Sequence, residues 1–376
     1  VSFDREQYKD IAPYVGKDVD EAIVRLSQHP EFLYAFAASL FKGDGPEVDE
    51  KRKQFVKYVL SLLKNVHSYD DFQHVITSGL FLKNVISNTM ESFTVSGVEK
   101  IKNDKSYLFI SNHRDIVLDC ALLDYALFEK EKPLCEMAIG DNLLKSQLIL
   151  DIFKLNGAII VKRDLSVREK YIETVRLSEY FYNTIQGGKN IWLAQKSGRS
   201  KDGIDVTHPA IIKMLYLGPK KDKLSFSDVI KNYHIVPVSI SYEMDPNAIN
   251  KAREEIKTKE DGEYNKKPLE DVISMVKGIR EWKGRVNLTF GDELTDTYQT
   301  PEEVAAEVDR QIHANYTLWP NNWFSYDYLN NSNENSDKYE GFDKDSFLAG
   351  FSHLTPEVRD FVLNSFANPV RSFLGE

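Results

Sequence analysis

A chain of 376 residues, 42% hydrophobic and 28% charged, has the make-up of a soluble globular protein, with length for one large domain and a smaller one attached. Its formal net charge of -10 argues against a nucleic-acid binder, which needs a concentrated basic surface. Its two cysteines, Cys120 and Cys135, offer neither a disulfide framework nor metal-ligand spacing. No stretch approaches the roughly 18 uninterrupted apolar residues of a spanning helix. Residues 1–10 lack a signal-peptide profile, so the expected setting is intracellular, with a place on a membrane surface left open.

From residue 18 to about 90 the apolar period is helical. Ala22, Ile23, Leu26, Phe32, Leu33, Phe36 and Leu40 make one series, Phe55, Val56, Val59, Leu60, Leu62 and Leu63 a second, and Phe72, Val75, Ile76, Leu80, Phe81 and Val85 a third. Residues 1–90 therefore read as a small helical bundle, in which His67 and His74 serve as surface or packing residues. From about Phe93 the period changes. Strands are expected at 93–98, 107–111, 135–139, 158–162, 190–195, 235–242 and 285–290, alternating with helices at 117–128, 142–155, 166–186 and 209–217. That alternation predicts an α/β fold, a mostly parallel central sheet flanked by helices, over residues 91–330.

Within it, helix 142–155 carries Leu144, Leu148, Ile152 and Leu155 on one face with Lys145 and Lys154 beside it. Packing on the sheet is the expected use, a lipid interface the alternative. Stretches 247–264 and 268–282 read as solvated helices of mixed charge that shape a substrate entrance. A helix at 301–316 leads to the aromatic run 319–326, expected to close a core or a cleft rim. Beyond the polar stretch 330–338 come two short helices, so 331–376 reads as a helical extension.

Four strand ends carry candidate chemistry. The run Tyr107-Leu108-Phe109-Ile110 leads into Ser111-Asn112-His113-Arg114-Asp115 and on to Asp119. A histidine at the top of a strand, with carboxylates two and six residues later, can pair a base with its orienting acid. The same residues can instead cap a helix and fill its first turn. Gly157-Ala158-Ile159-Ile160-Val161 ends in Lys162 and Arg163, which can hold a phosphate or form surface ion pairs with Asp164 or Glu169. After 191–195 comes a basic loop, Lys196-Ser197-Gly198-Arg199-Ser200-Lys201-Asp202-Gly203, where glycines let amides approach a ligand and Arg199 can grip an anion. In 235–242, Pro237 suits an edge or a bulge beside a site.

In this order the four stations resemble the four blocks of the glycerolipid acyltransferases, which acylate glycerol-3-phosphate or 1-acylglycerol-3-phosphate. The likeness is greatest to a bacterial branch, on Asn112 to Ile116, Asp141 to Leu144, Val161 to Arg163, Gly198 to Gly203 and Pro209 to Leu215. It covers about residues 93–242. It implies His113 as general base, an aspartate of the same block orienting it, and Lys162, Arg163, Arg199 and Lys201 on the acceptor phosphate. Backbone donors for the oxyanion would lie at Ser197, Gly198 and Ser200. Two departures stand out. The family places its aspartate where this chain has Leu118, so Asp119 is favoured over Asp115 with one residue more between it and His113, and Ser197 replaces the glutamate that usually precedes the glycine.

The resemblance further implies transfer of a fatty acyl group from acyl-CoA or acyl-carrier protein to a free hydroxyl of 1-acylglycerol-3-phosphate, in phospholipid synthesis. Glycerol-3-phosphate is the second acceptor. A catalytically lapsed relative that binds lipid or acyl-carrier protein is the alternative. Beyond the thioester co-substrate no cofactor or metal is expected, and the expected place is cytoplasmic, peripheral on the inner face of the cytoplasmic membrane. An α/β-hydrolase reading is disfavoured because no Gly-x-Ser-x-Gly elbow occurs.

Overall fold

The computed structural model describes residues 4–267 and 269–376. Seven strands form one sheet, β1 (Ser92–Ser96), β2 (Leu108–Ser111), β3 (Cys135–Gly140), β4 (Ala158–Val161), β5 (Asn190–Ala194), β6 (Ile235–Tyr242) and β7 (Arg285–Phe290). Their order across the sheet is β1-β7-β6-β2-β5-β3-β4, and every neighbouring pair is parallel except β6 with β7. This is an α/β fold with a mostly parallel sheet flanked by helices. β2 and β6 are buried along their whole length, as strands covered on both faces must be. Because β2 to β6 run the same way, their carboxyl ends share one rim, where an open sheet of this kind binds ligands.

Pro237 lies inside the sheet, opposite Ile110 of β2, and not at an edge. The ladder between β6 and β7 begins only at Val238. There Pro237 has only to offer its carbonyl, which Gly291 N reaches at 2.8 Å, so the missing N–H costs nothing.

The outer edge of β4 is covered by the chain's first described segment. Ile160 N donates to Ile11 O at 2.9 Å, which satisfies an edge that would otherwise offer itself to another strand. Charges pin this strap: Arg5 to buried Glu136 at 2.6 Å, Lys154 Nζ to Lys9 O at 2.8 Å, and Lys162 to Asp10 at 2.6 Å.

Helices Lys17–Ser27, Pro30–Leu40 and Pro46–Leu63 precede β1 and share one continuous hydrophobic core with the sheet. The third apolar series folds as the helical turn Tyr69–Phe72, a π-helical stretch Gln73–Leu82 and the helix Lys83–Thr89. The wider π turns aim Gln73 inward, where Nε2 reaches Asp124 Oδ2, Cys135 O and Asn156 O at 2.9–3.0 Å. Helix 142–155 begins later than its apolar pattern suggests. A 3-10 turn spans Asp141–Leu143, and Ser146 caps the helix proper, Gln147–Leu155, by accepting from Ile149 N. That helix packs into the main core.

Of the two mixed-charge stretches, the first is the helix Ala248–Asp261, whose inner face buries Lys251, Ala252 and Glu254, so it is not simply solvated. The second is Glu270–Arg280; Pro268, with which that stretch was expected to start, lies outside the described residues. Past the helix Pro301–Asn315, the aromatic run folds as the helix Pro320–Leu329 and packs with the helices Lys344–Ala349 and Pro356–Leu374 in a second hydrophobic cluster.

Asp124 gives the core a pH signature. Burial pushes its carboxyl up to about 8 from the ordinary 3.8, so between those values the native state holds a proton that the unfolded state has lost. Stability therefore falls as pH rises from about 4 to about 8. Urea unfolding at several pH values should show this fall, and Asp124→Asn should flatten it; an unchanged slope would refute the assignment.

Candidate active site

β2 stops at Ser111, and the Asn112 side chain then takes over the ladder to β6. Its Oδ1 accepts from Ile240 N at 2.8 Å and its Nδ2 donates to Ile240 O at 2.9 Å. That clamp fixes where the chain leaves the sheet and turns His113 onto the rim. The imidazole is 14% exposed and rests edge-on against Trp192 of β5. Its carbonyl accepts from Ser200 N at 2.7 Å, which ties the loop after β2 to the loop after β5.

The two carboxylates separate cleanly by their partners. Asp119 Oδ2 lies 2.8 Å from His113 Nδ1 and also accepts from Arg114 N and Asp115 N, at 2.5 and 2.9 Å. Its other oxygen accepts from Tyr242 OH at 2.8 Å. Asp115 does not reach the histidine in this network. Its Oδ1 accepts from Val117 N and Leu118 N and opens the helix Leu118–Glu129, while burial, and then the neighbouring Asp119, push its carboxyl up. The added residue of spacing is absorbed in this non-helical turn, and Leu118 points into the core, fully buried. Helix Glu270–Arg280 crosses directly over Asp115 at Gly278, where a Cβ would collide with Asp115 Oδ2; only glycine permits that approach.

The four cations fall into two pairs. Lys162 is held by Asp10 and Glu173, at 2.6 and 3.2 Å, and Lys201 by Glu254 and Glu255, both at 3.0 Å. Arg163 and Arg199 have no ion-pair partner among the described residues. Arg163 is exposed and packs over Gly140 at the end of β3. Arg199 is half-buried, with Nη1 enclosed and unpartnered, and it lies within electrostatic reach of Asp115, Asp245 and Asp271. A buried guanidinium nitrogen without an acceptor carries a desolvation cost that an anionic ligand would relieve.

Ser197 is exposed, Gly198 has φ +78°, and Ser200 is buried with Oγ on Ile204 O at 3.0 Å. Ser200 N is already used by His113 O, whereas the amides of Ser197, Gly198 and Arg199, like those of Lys196, Lys201, Asp202 and Gly203, have no acceptor among the described residues.

Three residues to which the sequence alone assigns no role pack around this cluster. Tyr242 buttresses Asp119. Arg114 donates to Asp205 at 2.5 Å and to Gly203 O at 3.1 Å, and its guanidinium lies over the Tyr316 ring. Lys251 Nζ holds Arg114 O at 2.6 Å and Asp245 at 2.5 Å. Burial pushes Lys251 below its ordinary value, with Asp245 opposing and Arg199 and Arg114 adding to the shift. Arg114 lies inside the histidine block and Tyr242 at the end of the strand that carries Pro237, but only the folded chain shows what they face. Among the described residues no three His, Cys, Asp or Glu side chains are grouped as metal ligands would be.

At the carboxyl end of a mostly parallel α/β sheet, a histidine thus pairs with a buried carboxylate, and the loop tied to it carries an unpartnered guanidinium nitrogen. An imidazole whose Nδ1 faces a buried carboxylate offers Nε2 to a substrate proton, and no hydrogen bond occupies Nε2 among the described residues.

Residues 92–241, which contain β1 through nearly all of β6, match a family model described as Acyltransferase. Among solved structures, the chain is similar to the 1-acyl-sn-glycerophosphate (LPA) acyltransferase PlsC from Thermotoga maritima, at 14% identity and a TM-score of 0.38, over 78% of this chain and 91% of that one. No curated protein matches. No described helix is long and apolar enough to cross a membrane.

Proposed function

We propose that the protein is an O-acyltransferase that moves a fatty acyl group from an acyl-CoA or acyl-carrier-protein thioester to the free hydroxyl of 1-acylglycerol-3-phosphate. The observation that carries this reading is the pairing of His113 Nδ1 with Asp119 at 2.8 Å beside the unpartnered Arg199; the family match of residues 92–241 supports it. Arg199, with Arg163, would hold the acceptor phosphate and leave its hydroxyl at His113. Nε2 takes the hydroxyl proton as that oxygen bonds to the thioester carbonyl carbon, and Asp119 stabilises the imidazolium. When the tetrahedral intermediate collapses, the C–S bond breaks and the imidazolium returns its proton to the leaving thiolate, so no acyl-enzyme forms. Loop amides at 197–199 are the candidate donors to the oxyanion. A lipid acceptor brings the protein to a membrane surface as a peripheral partner.

The test is an assay of purified protein with both thioester carriers over a panel of acceptors. Transfer to 1-acylglycerol-3-phosphate above all others is expected. A preference for glycerol-3-phosphate would move the acceptor assignment, and lipid binding without turnover would identify a non-catalytic binder. Salt-extractable binding to membranes is expected as well; full recovery in the soluble fraction at low salt would count against the peripheral placement.

Tyr242→Phe should lower kcat roughly tenfold and leave the acceptor KM in place, because Asp119 Oδ1 then stays buried without its donor, a loss of about 1–3 kcal/mol. Steady-state rates check this, and an unaltered kcat would remove Tyr242 from the catalytic network.

A further inference from the structure

We infer that the helical unit at the carboxyl end of the chain braces the Arg199 loop against His113, and that acceptor binding depends on this brace. The link to binding rests on the reading of Arg199 as a phosphate ligand; the brace itself does not.

Arg199 sits on an irregular segment with no partner for its guanidinium among the described residues, and three carboxylates lie within electrostatic reach of it. Its position must therefore be set by the backbone on either side. On the inner side, Ser200 N is bonded to His113 O at 2.7 Å. On the outer side, three consecutive residues are gripped from outside the sheet. Lys201 is held by Glu254 and Glu255 of helix Ala248–Asp261. Asp202 O accepts from Asn368 Nδ2 of helix Pro356–Leu374 at 2.7 Å, and Arg371, one turn further on, donates to the side-chain Oδ1 of Asn368. Gly203, at φ +82°, lies so close to Ser365 O that a Cβ would overlap it.

The two gripping helices belong to one body. Ala248 and Ala252 pack in the same hydrophobic cluster as Trp323, Phe347, Val362 and Phe366. The same body reaches β6 through Asn321, whose amide donates to Glu243 O, and holds the carbonyl of Arg114 through Lys251. Both loops of the site, after β2 and after β5, thus hang from a unit that lies outside residues 92–241. Asn368 is a positioning residue, since it acts on Arg199 only through the backbone at Asp202.

Hydrogen–deuterium exchange and steady-state kinetics on the full chain test the inference. Asn368→Ala and Gly203→Ala should each speed exchange of the Ser200 and Ile204 amides, which donate to His113 O and Asp202 Oδ1, by about fivefold or more, the scale of one lost hydrogen bond, while the strands exchange as in wild type. In the same variants the acceptor KM should rise about three- to tenfold with kcat within about twofold, since the chemistry at His113 is untouched. Tyr326→Phe, which breaks the contact of Tyr326 with Glu376 in the same unit, should leave loop exchange and KM unchanged. Wild-type exchange of the Ser200 and Ile204 amides in both loop variants would overturn the brace. Faster exchange with an unaltered acceptor KM would overturn its link to binding. A wild-type protein that transfers no acyl group would sink the acyltransferase reading alone, since the exchange data still decide the brace.

Discussion

His113→Ala should lower acyl transfer by at least about 10²-fold, the usual scale for removal of a general base, and do so through kcat. The imidazole is the only group in the site that pairs with a buried carboxylate and keeps a ring nitrogen unengaged among the described residues. The substitution removes the ring that rests on Trp192 but leaves the two backbone contacts that shape the turn, His113 O with Ser200 N and Arg114 N with Asp119. The fold should therefore survive, with a circular dichroism spectrum and urea midpoint close to wild type. Initial rates with a radiolabelled donor measure the effect. Full activity in a folded His113→Ala protein would end the proposed mechanism.

Arg199→Ala should raise the acceptor KM about 10- to 100-fold, as expected for loss of a hydrogen bond to a charged group, and leave the donor KM unchanged. Arg199→Lys should restore only part of this, since an ammonium cannot offer two parallel donors to a phosphate. Lys162→Ala is the contrasting case. Its ammonium is held by Asp10 and Glu173 beside the sheet edge, so the variant should lose stability where the strap crosses β4 and keep its acceptor KM. If Lys162→Ala and Arg199→Ala raised KM alike, the division of the four cations into two pairs would be wrong.

The sheet was legible in the sequence because central strands such as β2, β4 and β5 are written as apolar runs and β1 and β7 as alternating ones, and all seven predicted runs are strands. So was the histidine, since a polar cluster directly after such a run has to emerge at the rim. Three things were not legible, for separate reasons. The π-helical stretch at 73–82 depends on where Gln73 finds its acceptors, at Asp124, Cys135 and Asn156, all distant in sequence. Pro237 suggested an edge because proline lacks a donor, yet which strand positions need one is set by where β7 ends. Lys162 and Arg163 are adjacent in sequence but face different neighbours, a strap in one case and Gly140 in the other. Side-chain type showed what each residue can do; only the partners brought in from far along the chain showed what remains free to do it.

The antiparallel entry of β7 also bears on how the sheet is assembled. β1 touches the sheet only through β7, so the earliest strand to be synthesised has no partner until the latest one arrives. Pairing across so long a separation closes slowly, and until then β1 is an unpaired edge open to intermolecular contact. The stretch 92–241 that matches the family model includes β1 and stops before β7. Produced by itself, that stretch would carry a strand with nowhere to dock, and it should aggregate or stay partly unfolded where the longer chain does not.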